Sequence, residues 1–264
     1  MALASEPTAM CGRYSLFAPP GEIEERFDAS FAFDFDPRYN AAPSQELPVV
    51  TGHEPETIQR MEWGLVPSWA DDRSDYEFIN ARAETVRDKS SFSEAYESRR
   101  CSREHGEREL DTPKAGRCLV PADGFYEWTE SGSGKQPYRV TVGDDDLFAM
   151  AGLWERWTPP QTQTGLGDFG GGSDPDAEPD TVETFTIITT EPNDTIADLH
   201  HRMAVVLDSE EEDRWLTGDP DEVESLLDPY PDTAMRTYPV STTVNDPAND
   251  SPDVLEEVEA EAES

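Results

Sequence analysis

The run Arg117-Cys118-Leu119-Val120-Pro121-Ala122-Asp123-Gly124-Phe125-Tyr126-Glu127-Trp128 reads as two strand segments, 118–120 and 125–128, around a bend at 121–124. Downstream, the apolar stretches 138–142 and 147–153 follow as a hairpin joined at Gly143-Asp144, then strands at 185–190, 203–207 and 236–244. Upstream, 47–51 and 61–66 read as strands as well. The helices are few and short. Ile23 and Phe27, four apart, give 21–27 one apolar face; 91–97, 193–199 (capped by Asn193 or Asp194), 209–216 and 221–227 complete the set. Strands dominate and helices do not alternate with them, which predicts a single α+β domain rather than a doubly wound sheet.

The chain has 264 residues and a formal charge of −38, from 58 acidic and 20 basic side chains. Lys89, Lys114 and Lys135 are its only lysines. An acid-rich, lysine-poor surface suits high salt, so a halophile's soluble cytoplasmic protein is expected, associated with the nucleoid when bound to DNA. The acids are unevenly spread: 158–184, 208–232 and 246–264 together carry 25 acids and one base. The rest keeps 33 acids against 19 bases, among them Arg13, Arg82, Arg117 and Arg202, so a local basic footprint on an acidic body is expected. Residues 98–115 read as a surface insertion, a Gly- and Asp-rich insertion near 158–183 as disordered, and 246–264 as a disordered acidic tail.

Cys11, Cys101 and Cys118 suggest no disulfide framework. Cys101 and His105 lack a second ligand pair of suitable spacing, so no metal and no cofactor is expected. No apolar run is long enough to cross a membrane, and residues 1–10 lack the features of a signal peptide. A monomer is expected.

Cysteine at a chain start carries an amine and a thiol on adjacent carbons. That pair condenses with an aldehyde to a Schiff base and then closes a thiazolidine ring. An α-amine has a pKa of about 7.7–8.0 against about 10.4 for lysine, so a fair fraction is neutral near pH 7. Cys11 can act so only when residues 1–10 are absent or removed; otherwise it reads as a small buried thiol. Asn80 offers a donor and an acceptor without charge, and in an extended segment it shares a face with Arg82 and Glu84. Glu127, between Tyr126 and Trp128, sits in apolar company that raises a carboxyl pKa. His200 and His201 offer proton transfer near neutrality.

Four further motifs stand in order after Met10-Cys11-Gly12-Arg13-Tyr14. They are Trp63-Gly64-Leu65-Val66-Pro67-Ser68-Trp69, Asn80-Ala81-Arg82-Ala83-Glu84-Thr85, the 117–128 run, and His200-His201-Arg202-Met203. Together they resemble the SRAP family of abasic-site processing proteins, which crosslink themselves to abasic sites in single-stranded DNA. The resemblance spans 11–245, with Val240-Ser241 and Val244-Asn245 similar to the family's closing strand. It implies a twisted, mostly antiparallel sheet forming a pseudo-barrel with peripheral helices. It implies catalytic roles for Cys11, Asn80, Glu127 and His200. It also implies single-stranded DNA carrying abasic sites as partner, with strand contacts by Arg13, Arg82, Asn40 and Pro43. Trp63, Trp69 and Trp128 are the aromatics for base stacking; two of them are expected as core, and Trp128, next to Glu127, is expected to reach the strand. Ala204 departs from the family's proline after His-x-Arg-Met.

The resemblance further implies an SOS-response protein with lyase-like and self-cleaving, protease-like activity. Two other readings use the same residues. One is a cysteine or N-terminal-nucleophile peptidase or hydrolase, with the thiol attacking a carbonyl. The other is a non-covalent module for single-stranded or modified DNA.

Overall fold

The computed structural model describes residues 11–98, 113–131, 134–143, 147–160 and 181–259. The 117–128 run forms β7 (Ala115–Ala122) and β8 (Gly124–Ser131), with Asp123 alone between them. The earlier strands are β1 (Tyr14–Leu16), β2 (Ser30–Phe31), β3 (Arg38–Ala41), β4 (Glu46–Thr51), β5 (Thr57–Trp63) and β6 (Asn80–Arg82). The later ones are β9 (Gly134–Val142), β10 (Phe148–Trp157), β11 (Val182–Thr190), β12 (Met203–Ala204), β13 (Val206–Leu207) and β14 (Met235–Pro239).

Asp123 is where the chain changes sheets. β7 belongs to a ring in which β11, β10, β7, β4 and β5 pair in that order and β5 returns to β11. The last pairing is parallel and the others antiparallel, so this part of the sheet closes into a five-stranded barrel with β2, β6, β12 and β13 attached. β8 belongs to a second sheet, β14-β9-β8-β1-β3. Closure explains why β10 is buried along nearly its whole length: one face fills the barrel and the other is covered. At Gly152 a Cβ would come within 2.9 Å of the Cys118 Sγ and 3.0 Å of the Thr186 carbonyl, so only glycine lets these strands approach.

The expected hairpin of 138–142 with 147–153 does not form. β9 pairs with β8 and β14, whereas β10 pairs with β7, β11 and β13. Gly143 does turn the chain, with φ +61°, but the turn carries it from one sheet to the other. Local sequence marks a turn; it does not say which strand lies alongside. The hairpin is β8 with β9, in register from Phe125↔Val140 to Ser131↔Gly134.

The helices are peripheral: α1 (Pro20–Phe27), α2 (Ser93–Glu97), α3 (Asp194–Ala197), α4 (Glu212–Thr217) and α5 (Pro220–Val223). Ile23 and Phe27 bury one face of α1, as their spacing requires, and Asn193 caps α3 by accepting the Ile196 N–H at 2.9 Å. The expected last strand stops at Pro239 and continues as a 3₁₀ turn, Thr242–Asn245.

The acidic tail is not disordered as far as Glu259. Asp250 accepts the Tyr39 and Asn40 backbone N–H groups at 2.6 and 2.9 Å and pairs with Arg38 at 3.1 Å. Val254 is fully buried with Val240, Val244 and Tyr126. The tail thus covers β3, an edge strand whose N–H groups would otherwise be unpaired. The prefix 1–10, residues 161–180 of the expected insertion, and Cys101 and His105 lie outside the described residues. No described helix is long and apolar enough to cross a membrane.

Candidate active site

β1 lies antiparallel to β8, with Tyr14 opposite Phe125, and the Tyr126 N–H donates to the Arg13 carbonyl at 3.0 Å. Extending that pairing by two residues sets Gly12 against Glu127, with Cys11 next to it in the chain. Cys11 is turned, with φ +31°, and fully buried. Its backbone N–H donates to the Glu127 carboxylate, and its carbonyl accepts from Asn80 Nδ2 at 3.4 Å. Asn80 is placed by β6, which runs parallel to β11 with Asn80 beside Ile187. His200 follows α3, its N–H donating to the Ile196 carbonyl, and its Nδ1 lies 3.5 Å from Glu127 Oε2. The four residues expected to carry chemistry come from four separate parts of the chain and meet here.

Burial pushes the Glu127 carboxyl well above the usual carboxylate range, against the Cys11 N–H, which favours the anion. Burial lowers His200, outweighing its contact with the Arg202 carbonyl. His200 Nδ1 lies 3.1 Å from that carbonyl, which assigns the proton to Nδ1 and leaves Nε2 as an acceptor. Nε2 and Glu127 Oε1 are both buried without a hydrogen-bond partner. The pair is therefore a protonated acid beside a neutral base, each with one free atom. The Cys11 thiol is pushed well up, first by burial and then by Glu127. Its protonated form is strongly favoured.

The His200 loop is fastened by an ion pair that the sequence pattern did not reveal. Arg202 is buried and forks onto Glu84, Nη1 to Oε1 at 2.5 Å and Nη2 to Oε2 at 2.9 Å, while Nη2 also reaches the Thr189 carbonyl at 2.6 Å. That fork holds Glu84 well inside its ionised range. Glu84 lies beyond the end of β6, so it does not share a face with Asn80 and Arg82 as strand alternation predicted. His201 is exposed and its ring leans on His200, centroids 4.4 Å apart.

The expected strand-contacting residues divide. Trp63 is fully buried, its indole N–H on the Ile79 carbonyl and its ring between Tyr14 and Phe185; it is core. Trp128 points away from Glu127, because neighbours on a strand face opposite sides. It packs beneath the C-terminal segment, and its Nε1 donates to Asn245 Oδ1 at 2.7 Å. Asn40 is buried, with its amide donating to the Val244, Asp246 and Asn249 carbonyls and its oxygen accepting from Arg13. Arg13 is half-buried and also donates to the Val244 and Asn245 carbonyls at 2.7 and 3.1 Å. These three tie the start of β1 to the C-terminal segment. Pro43 is half-buried in the turn after β3. Arg117 is buried beneath Trp215. Of the motif arginines and tryptophans, Arg82 and Trp69 are exposed, Trp69 by 47%. The basic footprint is correspondingly smaller than the sequence suggested.

The family model described as SOS response associated peptidase (SRAP) matches residues 10–102 and 111–247. The chain belongs to the SRAP family. Its described fold is similar to a crystal structure of a protein from Bacteroides thetaiotaomicron, with TM-score 0.74 and 26% identity, over 94% of this chain and all of that one. Among named SRAP relatives, abasic site processing protein YoqW of Bacillus subtilis is 37% identical, over 94% of this chain and 99% of its own length. Abasic site processing protein HMCES of Gallus gallus is 31% identical, over 85% of this chain and 67% of its own.

Proposed function

We propose that this protein captures abasic sites in single-stranded DNA by forming a thiazolidine with Cys11. The observation that carries the reading is that the nitrogen of Cys11, and not only its sulfur, is held at the acid–base pair. With Cys11 as first residue, that nitrogen is an amine. It attacks the open-chain aldehyde of the abasic sugar, giving a carbinolamine. Glu127, protonated, supplies the proton on which the hydroxyl leaves as water, and His200 Nε2 takes the proton released from nitrogen. The thiol then adds to the imine carbon, its proton ending on the ring nitrogen. One water leaves, and no oxidant or metal is needed.

The thiol's environment also separates this reading from a cysteine hydrolase. A peptidase attacks through thiolate, and burial together with Glu127 disfavours thiolate at Cys11. An amine-first reaction tolerates a neutral thiol. Where the Met10–Cys11 bond is present it must be hydrolysed once before capture. Glu127, already at the Cys11 nitrogen, suits protonation of that leaving amine, which gives the peptidase of the family name a self-directed role. The exposed Trp69 indole and the Arg82 guanidinium supply stacking and phosphate contact for an unpaired strand. The test is incubation with single-stranded oligonucleotides with and without an abasic site. A heat-stable protein–DNA species with the abasic strand alone supports the proposal, together with an intact protein mass beginning at Cys11. A stable crosslink from protein that retains residues 1–10 would overturn it.

A further inference from the structure

The loop between β5 and β6 is fixed more firmly than its exposure requires. Its Val66 N–H donates to Thr184 Oγ at 2.9 Å, its Ser68 N–H to Glu155 Oε2 at 2.6 Å, and its Ala70 carbonyl accepts the Trp157 indole N–H at 2.8 Å. These three contacts come from β10 and β11 and frame Trp69. That indole stands edge-on to Tyr76, ring centroids 5.2 Å apart, and donates to the Ser90 carbonyl at 3.1 Å while staying 47% exposed. Of the three anchors Glu155 is the one that ionises. It is 1% exposed, and its second oxygen, Oε1, is buried with no hydrogen-bond partner. A structural anchor for one N–H needs no carboxyl, and a half-satisfied one is costly to bury.

We infer that Glu155 is a positioning residue for strand binding, holding the Val66–Ala70 loop and its Trp69 through the Ser68 amide in a pH-dependent way. The inference rests on the single-strand reading above. Burial raises the Glu155 carboxyl to about 7, opposed by its bonds to Ser68 and assisted by the charge of Glu94 on α2. On the strands flanking β10 its partners are Ala115 and Thr184, neither of which titrates near neutrality. The neighbouring Arg156 is taken by Glu183. When the loop opens, Glu155 meets water and returns towards an ordinary carboxyl pKa. Linkage then fixes the sign: the held loop binds the proton more tightly, so a proton favours it and rising pH favours opening. Between the ordinary 4.5 and about 7, each pH unit shifts that balance towards opening by up to tenfold, and above about 7 the shift levels off.

Glu155→Gln keeps an acceptor for the Ser68 N–H and cannot ionise, whereas Glu155→Ala removes the acceptor. The test compares the full chain with both variants at pH 5 and pH 8.5. Hydrogen exchange of the loop and affinity for an unmodified single-stranded oligonucleotide are read at each pH. At pH 5, near the start of the window, the native protein should lie within a few-fold of Glu155→Gln. At pH 8.5 its loop should exchange several-fold faster and its affinity should be several-fold weaker than those of Glu155→Gln. Glu155→Ala should be loose at both, and if it fails to fold the glutamine comparison decides alone. Native protein and Glu155→Gln that track each other at both pH values overturn the inference. Loop exchange that behaves as expected while no protein binds the strand overturns the strand-binding reading, and the purpose assigned to Glu155 with it.

Discussion

In the proposed reaction Cys11, Glu127 and His200 act together, and one environment moves the three groups in directions that suit it. The acid is kept protonated, the base neutral and the thiol unionised. Glu127→Gln should therefore slow crosslinking by about 10²–10⁴-fold, the usual share of one acid–base residue, while affinity for a plain strand is unchanged. A parallel fall in rate and affinity would make Glu127 structural. The pH profile carries the sign. His200 is lowered, so its neutral form persists below pH 6.5 and the acid limb should lie lower than for a free imidazole. Glu127 is raised, so the fall of rate at high pH reports loss of its proton, and Glu127→Gln should abolish that limb. Cys11→Ser should form only a Schiff base, seen when borohydride traps it. That these residues meet was legible in the sequence, because the motifs that carry them stand in the order of the family pattern. Trp128 was expected beside Glu127; as its neighbour on β8 it faces the other side, where it packs against the C-terminal segment.

At the scale of elements, the site depends on joints that no local pattern displays. The fork of Arg202 on Glu84 joins the His200 loop to the end of β6. Glu84→Ala leaves a buried guanidinium with the Thr189 carbonyl as its remaining described acceptor. Hydrogen bonds to charged groups are worth about 1.5–3 kcal/mol, less at the half-exposed Glu84 carboxylate, so a loss of about 1 kcal/mol is expected on thermal melting. Crosslinking should slow more than that loss of stability explains, since His200 loses its fixed pose; an unaltered rate would separate the fork from the site. The C-terminal segment makes a similar joint. Deleting 250–264 bares the edge of β3 and removes Val254 from its apolar cluster. Melting should shift downward. Acidic composition hid this segment because individual residues, Asp250 and Val254 among them, anchor it, and a composition average cannot register single positions. The barrel was hidden differently: each strand was visible, but closure depends on the β5–β11 pairing, which joins residues more than a hundred positions apart.

Across the whole molecule, charge and burial act on stability in the same direction and can still be separated. The −38 formal charge repels itself, and the repulsion grows as pH rises and falls as salt screens it. Independently, Glu127, Glu155, Asp123 and Glu212 are all raised by burial in the folded chain. A raised carboxyl favours the folded state while protonated. Its contribution is complete below the unfolded pKa and is lost as pH climbs through the folded one. For Glu155, a rise from the ordinary 4.5 to about 7 corresponds to about 3 kcal/mol, lost progressively between those two values. Stability should therefore be greatest in mild acid and decline towards pH 8. Molar salt should remove the part of that decline due to surface repulsion, because screening reaches exposed charges. It should leave the part due to buried carboxyls, which ions do not approach. Thermal melts of native protein and Glu155→Gln, at pH 5.5 and 8 in low and molar salt, distinguish the two. In molar salt the native protein should still lose stability with pH, and Glu155→Gln should lose visibly less. If molar salt flattens both proteins alike, repulsion alone sets the pH dependence and the buried carboxyls contribute nothing measurable.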